Sequence, residues 1–370
     1  SNIRTRFLIL SDTHGKPFPE EWTTYAAADV AIHCGDLTDS SYLHEFETTL
    51  HHLQRLRAPL KLVIAGNHDF TLDVPVFQQK VKEAGLENEL DLVKRVYGEY
   101  GEARRLFDDT PQKQQTGEIH LLNEGPHAFT LPNGARLNIY ASPYTPSSSS
   151  LLGDNETSGW GFQYPRHTNT RNPASHDFNI TSTDNNIDVV ITHGPPRGIF
   201  DYTLARERAG CAALFQAIAQ TRPRMHCFGH IHEGWGAMVA QWRDHRHPRS
   251  VGISDGDGDD DNSQPSTHFS AIDHGKSTII NKLSRLMTMM MMSPVPGVSG
   301  RVEVTSHCAA DPVPLRVGEQ TLFVNAAVEG TTTTTCSCSS SSSSSSNVPE
   351  EDDAPLRHPV WLVDLDLPLA

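Results

Sequence analysis

The sequence predicts an α/β fold with a parallel or mixed sheet, on three observations. Short apolar runs of strand length alternate with an amphipathic helical pattern. Several of these runs end directly at Asp, Asn or His. An Asn-Gly pair, Asn133-Gly134, joins two later runs as a hairpin would.

In order along the chain, Arg6 to Ser11 is a first strand ending at Asp12, and Val30 to Cys34 is a second ending at Gly35-Asp36. Leu60 to Ala65 is a third, ending at Gly66-Asn67. Between the second and third, Leu43, Phe46, Leu50, Leu53 and Leu56 recur at three- and four-residue steps, which predicts a helix capped by Ser40 or Ser41 and stopped by Pro59. A second helical region is predicted from Val76 to Tyr97. Short strands follow at Ile119 to Leu122, Ala128 to Leu131 and Leu137 to Ala141, the first two separated by Gly125-Pro126. Val189 to Thr192 is a buried strand ending at His193, Ala209 to Thr221 a helix stopped by Pro223, and Arg224 to Phe228 a strand ending at Gly229-His230. Late strands are expected at Thr321 to Asn325 and Val360 to Leu365.

The chain reads as a single domain over 1–370, interrupted by low-complexity insertions at about 243–320 and 331–355. The first holds an acidic Gly-rich run (254–265) and Met289 to Met292, the second Thr331 to Thr335 and Ser339 to Ser346. A polar stretch, 147–186, carries Trp160, Phe162 and Tyr164. An apolar content of 37% is below the ~45–50% usual for a folded domain, and these stretches account for the dilution.

Charge excludes some functions. A net charge of −15 argues against a nucleic-acid polymer as partner. No apolar run reaches the ~20 residues of a membrane span, and Phe7 to Leu10 is too short for a signal-peptide core. The six cysteines form no disulfide framework, so a reducing, cytoplasmic setting is expected. Oligomeric state has no sequence signature here.

The 20 histidines are the unusual count, and position sorts them. Asp12-Thr13-His14, Gly35-Asp36, Gly66-Asn67-His68-Asp69, His193-Gly194-Pro195-Pro196 and Gly229-His230-Ile231-His232 each follow a strand. Ligands in open α/β sheets bind beyond the carboxyl ends of strands, so these motifs converge. Carboxylate, amide oxygen and imidazole together suit Mn, Fe or Zn. The donors exceed the needs of one tetrahedral site; two metals roughly 3.5–4 Å apart, bridged by a carboxylate, would use them all. His33, inside a strand, reads instead as a hydrogen-bonded core residue, and His51, His52, His245 and His247 as solvated positions.

This ordered motif set resembles the calcineurin-like metallophosphoesterase superfamily. His193 to Gly198, Phe228 to Gly234 and Trp160 to Arg166 are similar to its metallophosphoesterase-domain-containing (fetal-brain type) branch, related to class III cyclic nucleotide phosphodiesterases. The resemblance implies a four-layer α/β/β/α sandwich with two mixed sheets. It implies two divalent or transition metal ions (Mn, Fe or Zn, with Mg also compatible), one held by Asp12, His14, Asp36 and His232 and the other by Asp36, Asn67, His193 and His230. A metal-bound hydroxide would attack phosphorus in line, and His68 would face the phosphate and protonate or stabilise the leaving oxygen. Asp69 would orient His68. Asn325-Ala326-Ala327 departs from the branch's Asn-Ala-Ser.

Substrate contacts are expected from Asn67, His68, Trp160 and Arg197, with Arg166 a further phosphate candidate. Trp160, Phe162 and Tyr164 are either a wall for a base or aryl group, or a hydrophobic plug under a long loop. The expected substrate is a small phosphodiester or phosphomonoester, nucleotide-like. A Ser/Thr protein phosphatase shares the same metal core, and a nucleotide-binding scaffold with little turnover is the non-enzymatic alternative. Finally, Asp273 to Thr278 resembles the end of a P-loop, but Ser270 stands where its first glycine belongs, and a short helix is expected from Gly275 to Met287.

Overall fold

A computed structural model of the chain describes residues 2–109, 117–147, 160–165, 176–180, 187–243, 271–292, 301–330 and 358–370. The runs 254–265 and 331–355, most of the polar stretch before Asp188, and Arg166 lie outside the described residues.

The elements run β1 (Asn2–Leu10), α1 (Glu20–Thr24), β2 (Val30–His33), α2 (Leu43–Arg55), β3 (Leu60–Val63), α3 (Val74–Glu83), α4 (Leu90–Tyr97), α5 (Glu102–Asp108), β4 (Glu118–Leu121), β5 (Gly125–Thr130) and β6 (Arg136–Ser142). Then follow β7 (Thr145–Pro146), β8 (Gln163–Tyr164), β9 (Val189–Thr192), α6 (Ala212–Thr221), β10 (Met225–Phe228) and β11 (Gly236–Gln241). The last are β12 (Thr278–Lys282), α7 (Leu283–Met292), β13 (Val302–Ser306), β14 (Gln320–Asn325) and β15 (Val360–Pro368).

Two mixed sheets carry the fold. The six-stranded sheet has order β13-β15-β1-β2-β3-β4 and the seven-stranded one β12-β11-β14-β10-β9-β6-β5. Alternation along each strand assigns the layers. Phe7 and Ile9 of β1, Ile32 of β2 and Leu62 of β3 pack between the sheets with Ile139, Ile191, Cys227 and Val324 of the other sheet. Their neighbours Leu8, Leu10, Ala31 and Val63 face outward onto Trp22 of α1, Phe46 and Leu50 of α2 and Phe107 of α5. On the opposite outer face, Tyr140, Val190, Phe228 and Phe323 meet Leu214, Phe215 and Ile218 of α6. These are the four layers α/β/β/α, and strands buried on both faces explain why the sequence shows continuous apolar runs rather than alternation.

Several boundaries differ from the sequence reading. The predicted helix from Val76 to Tyr97 is two helices, because Gly85 takes φ +66° after α3 and breaks the chain. Helix α2 starts after Tyr42, whose amide donates to Glu45 at 2.9 Å; neither Ser40 nor Ser41 is its first flanking residue. Gly125-Pro126 lies inside β5, an edge strand where the missing proline N–H costs no ladder bond. The span 243–320 contains β12, α7 and β13. The β-branched run Thr278-Ile279-Ile280 pairs as a strand with β11, so the helix expected from Gly275 begins only at Leu283. The P-loop-like segment is thus a turn entering a strand: Ser277 donates to the Asp273 carbonyl at 2.8 Å and accepts from the Gln241 amide at 3.0 Å. No phosphate-cradling helix start follows it.

Candidate metal centre

Strands β1, β2 and β3 run parallel in one sheet, and β6, β9, β10 and β14 run parallel in the other. The carboxyl ends of the strands bring the motifs together. Asp12 and His14 leave β1, Asp36 leaves β2, Asn67 and His68 leave β3, His193 leaves β9, and His230 and His232 leave β10. Backbone bonds lock the loops side by side: the amides of Asp12, His14 and Gly15 donate to the carbonyls of Gly35, Asp36 and Leu37 at 2.9, 3.1 and 2.7 Å. The Gly229 amide donates to the His193 carbonyl at 2.9 Å, joining the two turns of the second sheet.

Such crowding demands unusual backbone. Asp12, His14, Asp36 and His230 have φ of 57°, 48°, 52° and 67°, a region that costs a side-chain-bearing residue of order 1 kcal/mol or more. Two glycines permit close approach to the carboxylates. A Cβ on Gly66 would stand 2.2 Å from Asp36 Oδ1, and one on Gly229 would stand 2.1 Å from Asp12 Oδ2.

Donor atoms gather in three overlapping groups: Asp12, His14 and His232; His14, Asp36 and His68; and Asp36, His193 and His230. Asp36 Oδ2 lies 3.2 Å from His193 Nε2 and 4.0 Å from His14 Nε2. His232 Nε2 lies 3.4 Å from Asp12 Oδ1, and Asn67 Oδ1 lies 2.9 Å from His193 Nε2. Asp12 also accepts the His230 amide at 3.0 Å, and Asp36 the His68 amide at 2.8 Å.

The donors fit a bound cation. His193 Nδ1 is committed to the Cys34 carbonyl at 2.9 Å, so the ring's other nitrogen faces Asn67 Oδ1 and Asp36 Oδ2, both lone-pair bearers. Three lone pairs meeting at one place require a cation, either a proton or a metal. Without a metal a proton serves. Burial lowers His193, but the Asp36 charge and hydrogen bond outweigh it and raise the ring to about 9. Burial would raise Asp12 and Asp36; contact with His232 holds Asp12, and contact with His193 holds Asp36, well below the usual carboxylate range. Burial, with the His193 charge, lowers His230 to about 3, leaving the ring neutral. His14 is buried with neither ring nitrogen hydrogen-bonded, a costly state that a metal removes. Carboxylate, amide and imidazole donors of this kind suit a divalent metal.

His33 behaves as a core residue. Its Nδ1 accepts the Gly35 amide at 3.3 Å and its Nε2 faces the Thr13 hydroxyl at 2.9 Å, so it props the Asp12–His14 loop from behind. Burial lowers it to about 3.

The role expected of Asp69 changes. Its carboxylate is buried and accepts from the amides of Leu37, Thr38 and Gly66 and the Thr38 hydroxyl. It therefore clamps the loops after β2 and β3 together. His68 is oriented by the Asp39 backbone carbonyl, 2.6 Å from Nδ1. The aromatic trio also divides. Trp160 is 38% exposed and lies over His68, ring centroids 4.1 Å apart, while Phe162 packs on Tyr144 and Tyr164 on His176. The Gly161 amide bonds the Asn67 carbonyl at 2.9 Å, which pins Trp160 to the site. Arg197 is exposed, its amide bonded to the Cys211 carbonyl at 2.9 Å, and none of the contacts found among the described residues joins its guanidinium to the cluster.

Two acidic residues escaped the sequence reading. Glu329 Oε2 lies 3.1 Å from His14 Nε2, and Asp39 Oδ1 lies 3.8 Å from His14 Nδ1. Asp39 stands three residues past Asp36 in the same loop; Glu329 lies four residues past the end of β14, but no His, Asp or Asn beside it marks a motif there.

Residues 5–234 match the family model described as calcineurin-like phosphoesterase. Over 237 residues the chain is 31% identical to metallophosphoesterase domain-containing protein 1 of Homo sapiens and of Mus musculus, covering 64% of this chain. It spans 63% of the length of each of these relatives. Among solved structures, that of the Thermus thermophilus protein TT1561 aligns with 61% of this chain and 82% of its own, at 11% identity and a TM-score of 0.38. No helix among the described residues is long and apolar enough to cross a membrane.

Proposed function

The chain belongs to the calcineurin-like phosphoesterase family, and we propose that it is a two-metal hydrolase of small phosphoesters, with nucleotide-like diesters or monoesters as substrates. The observation that carries this reading is the placement of Asp36, whose one oxygen, Oδ2, faces His193 on one side and His14 on the other. A carboxylate shared by two donor groups is what a metal pair requires. In this reading Asp12, His14, Asp36 and His232 hold one ion, and Asp36, Asn67, His193 and His230 the other.

Divalent ions bound there supply a water activated near neutral pH and positive charge against the phosphate oxygens. The protein contributes the rest. His68, fixed by its Nδ1–H on the Asp39 carbonyl, would as an imidazolium give its Nε2 proton to the leaving oxygen as the bond to phosphorus breaks. Asn67 and Trp160 border the same space, and the half-exposed indole over His68 suits an aromatic base on the leaving group. An acidic chain suits such substrates because the metals supply the positive charge locally.

The test is hydrolysis of bis-p-nitrophenyl phosphate and of cyclic nucleotides by protein loaded with Mn²⁺. Activity should depend on metal, and Asp36→Ala or Asn67→Ala should each remove most of it. A metal-loaded protein that binds nucleotide but hydrolyses neither diesters nor monoesters would sink the reading.

A further inference from the structure

We propose that Glu329 is an additional carboxylate of the metal position built by Asp12, His14 and His232, where its Oε2 adds an oxygen donor to a bound divalent cation. The inference rests on the two-metal reading and extends it to a residue outside every strand-end motif. Three observations support it.

Glu329 is brought in by tertiary structure. Strand β14 ends at Asn325, Ala327 bridges Ser11 in parallel, and the Val328 amide donates to the Ser11 carbonyl at 3.0 Å. Val328 is buried in the outer core beneath the first sheet, which anchors the segment next to the Asp12 loop.

Glu329 Oε2 also points at a ring that lacks a partner. It lies 3.1 Å from His14 Nε2, yet neither nitrogen of that 3%-exposed side chain makes a hydrogen bond. His14 Nε2 is in turn 4.0 Å from Asp36 Oδ2, so two carboxylates flank one imidazole nitrogen. Glu329 reaches this position through His14, lying outside the groups whose donors all stand within 4.8 Å of one another, and a cation beside His14 Nε2 would satisfy the ring and draw in the Glu329 oxygen.

The two oxygens of Glu329 are divided between different tasks. Oε1 pairs with Lys16 and Oε2 turns to His14. The Lys16 side chain is 36% exposed, and so open an ion pair is too weak to explain why the carboxylate turns inward. Lys16 instead orients it, as outer partners orient ligating carboxylates. A further oxygen donor should shift this position toward oxygen-preferring ions such as Mn²⁺ or Mg²⁺ over Zn²⁺.

The experiment titrates metal-free protein with Mn²⁺, reading free ion by electron paramagnetic resonance and binding heat by calorimetry. Wild type should take up two ions. Glu329→Gln should keep one affinity and weaken the other about tenfold or more, and Lys16→Met should weaken the same one by less. Thermal unfolding of each metal-free variant checks that the fold is unchanged, and Glu329→Ala serves as a second substitution should Gln perturb it. Two unchanged affinities in both Glu329 variants overturn the assignment and leave the two-metal reading standing. A wild type that binds no divalent ion overturns both.

Discussion

Thr38 and Asp69 are joined twice: the hydroxyl and the amide of Thr38 both donate to the same oxygen of Asp69, at 2.7 and 3.0 Å. The other oxygen accepts the amides of Leu37 at 3.0 Å and Gly66 at 2.8 Å. One buried carboxylate thereby sets the spacing between the loop of Asp36 and the loop of Asn67. Burial and then the Asp36 charge push Asp69 up to about 6, against the pull of these four donors. Asp69→Asn replaces one acceptor by an NH₂ group facing N–H donors. A buried mismatch of this kind costs on the order of 2 kcal/mol. Urea unfolding of the metal-free variant should show that loss; an unchanged midpoint would mean that other contacts hold the loops.

Asn325 performs the same service for the histidine pair. Its Nδ2 donates to the Ile231 carbonyl at 2.9 Å, between His230 and His232, and its Oδ1 accepts the Ala327 amide at 3.1 Å. Asn325→Asp sets an acceptor against that carbonyl. Metal affinity should fall about tenfold or more, the usual scale for partners one step behind the ligands. Activity should be recovered at high Mn²⁺, because the ligands themselves are intact. Failure of excess metal to restore activity would place Asn325 in the reaction itself.

The candidate site was legible because each proposed ligand lies within four residues of the end of a strand that is apolar on both faces, a local pattern. Asp69 was legible as important but not in its task, since its donors come from Leu37 and Thr38, some thirty positions earlier. Glu329 was not legible, because the Ser11–Ala327 bridge that delivers it depends on how distant parts of the chain pack. The same reason hid β13, whose partner β15 inserts beside β1 with Phe7 opposite Val363. Pairings across that much chain leave no periodic mark in either segment.

His226 predicts a pH response at a residue outside the proposed ligand set. It is fully buried on β10, beside Phe228 and Phe323, with Nε2 2.8 Å from the Thr192 hydroxyl. That hydroxyl donates to the Gly194 carbonyl at 2.7 Å, so His226 must donate through Nε2–H and keep Nδ1 unprotonated. Burial lowers the ring to about 3 in the folded chain, while the unfolded chain protonates near ~6.5. The folded state therefore binds fewer protons in that window. The stabilisation is complete above the unfolded value and is lost as pH falls toward the folded one, with a slope of up to about 1.4 kcal/mol per pH unit. His226→Gln should flatten the stability curve between about pH 6 and 4 by about one proton, measured by urea unfolding across pH. A slope equal to wild type would show that His226 is not the group that resists protonation.

Trp160 separates a role on substrate from a role on His68. Its ring lies 4.1 Å from His68 by centroids and is 38% exposed, and Lys80 Nζ stands 5.8 Å from it. If the indole stacks on a base, Trp160→Ala removes roughly 1–1.5 kcal/mol of binding, or about tenfold. KM for a cyclic nucleotide should rise by that factor while KM for an aliphatic diester stays put, and Trp160→Phe should recover most of the loss. If the indole instead steadies the His68 ring, kcat should fall alike for both substrates, with KM unchanged. A KM effect confined to the nucleotide also favours small nucleotide-like esters over a phosphoprotein, whose phosphoserine offers no ring to stack.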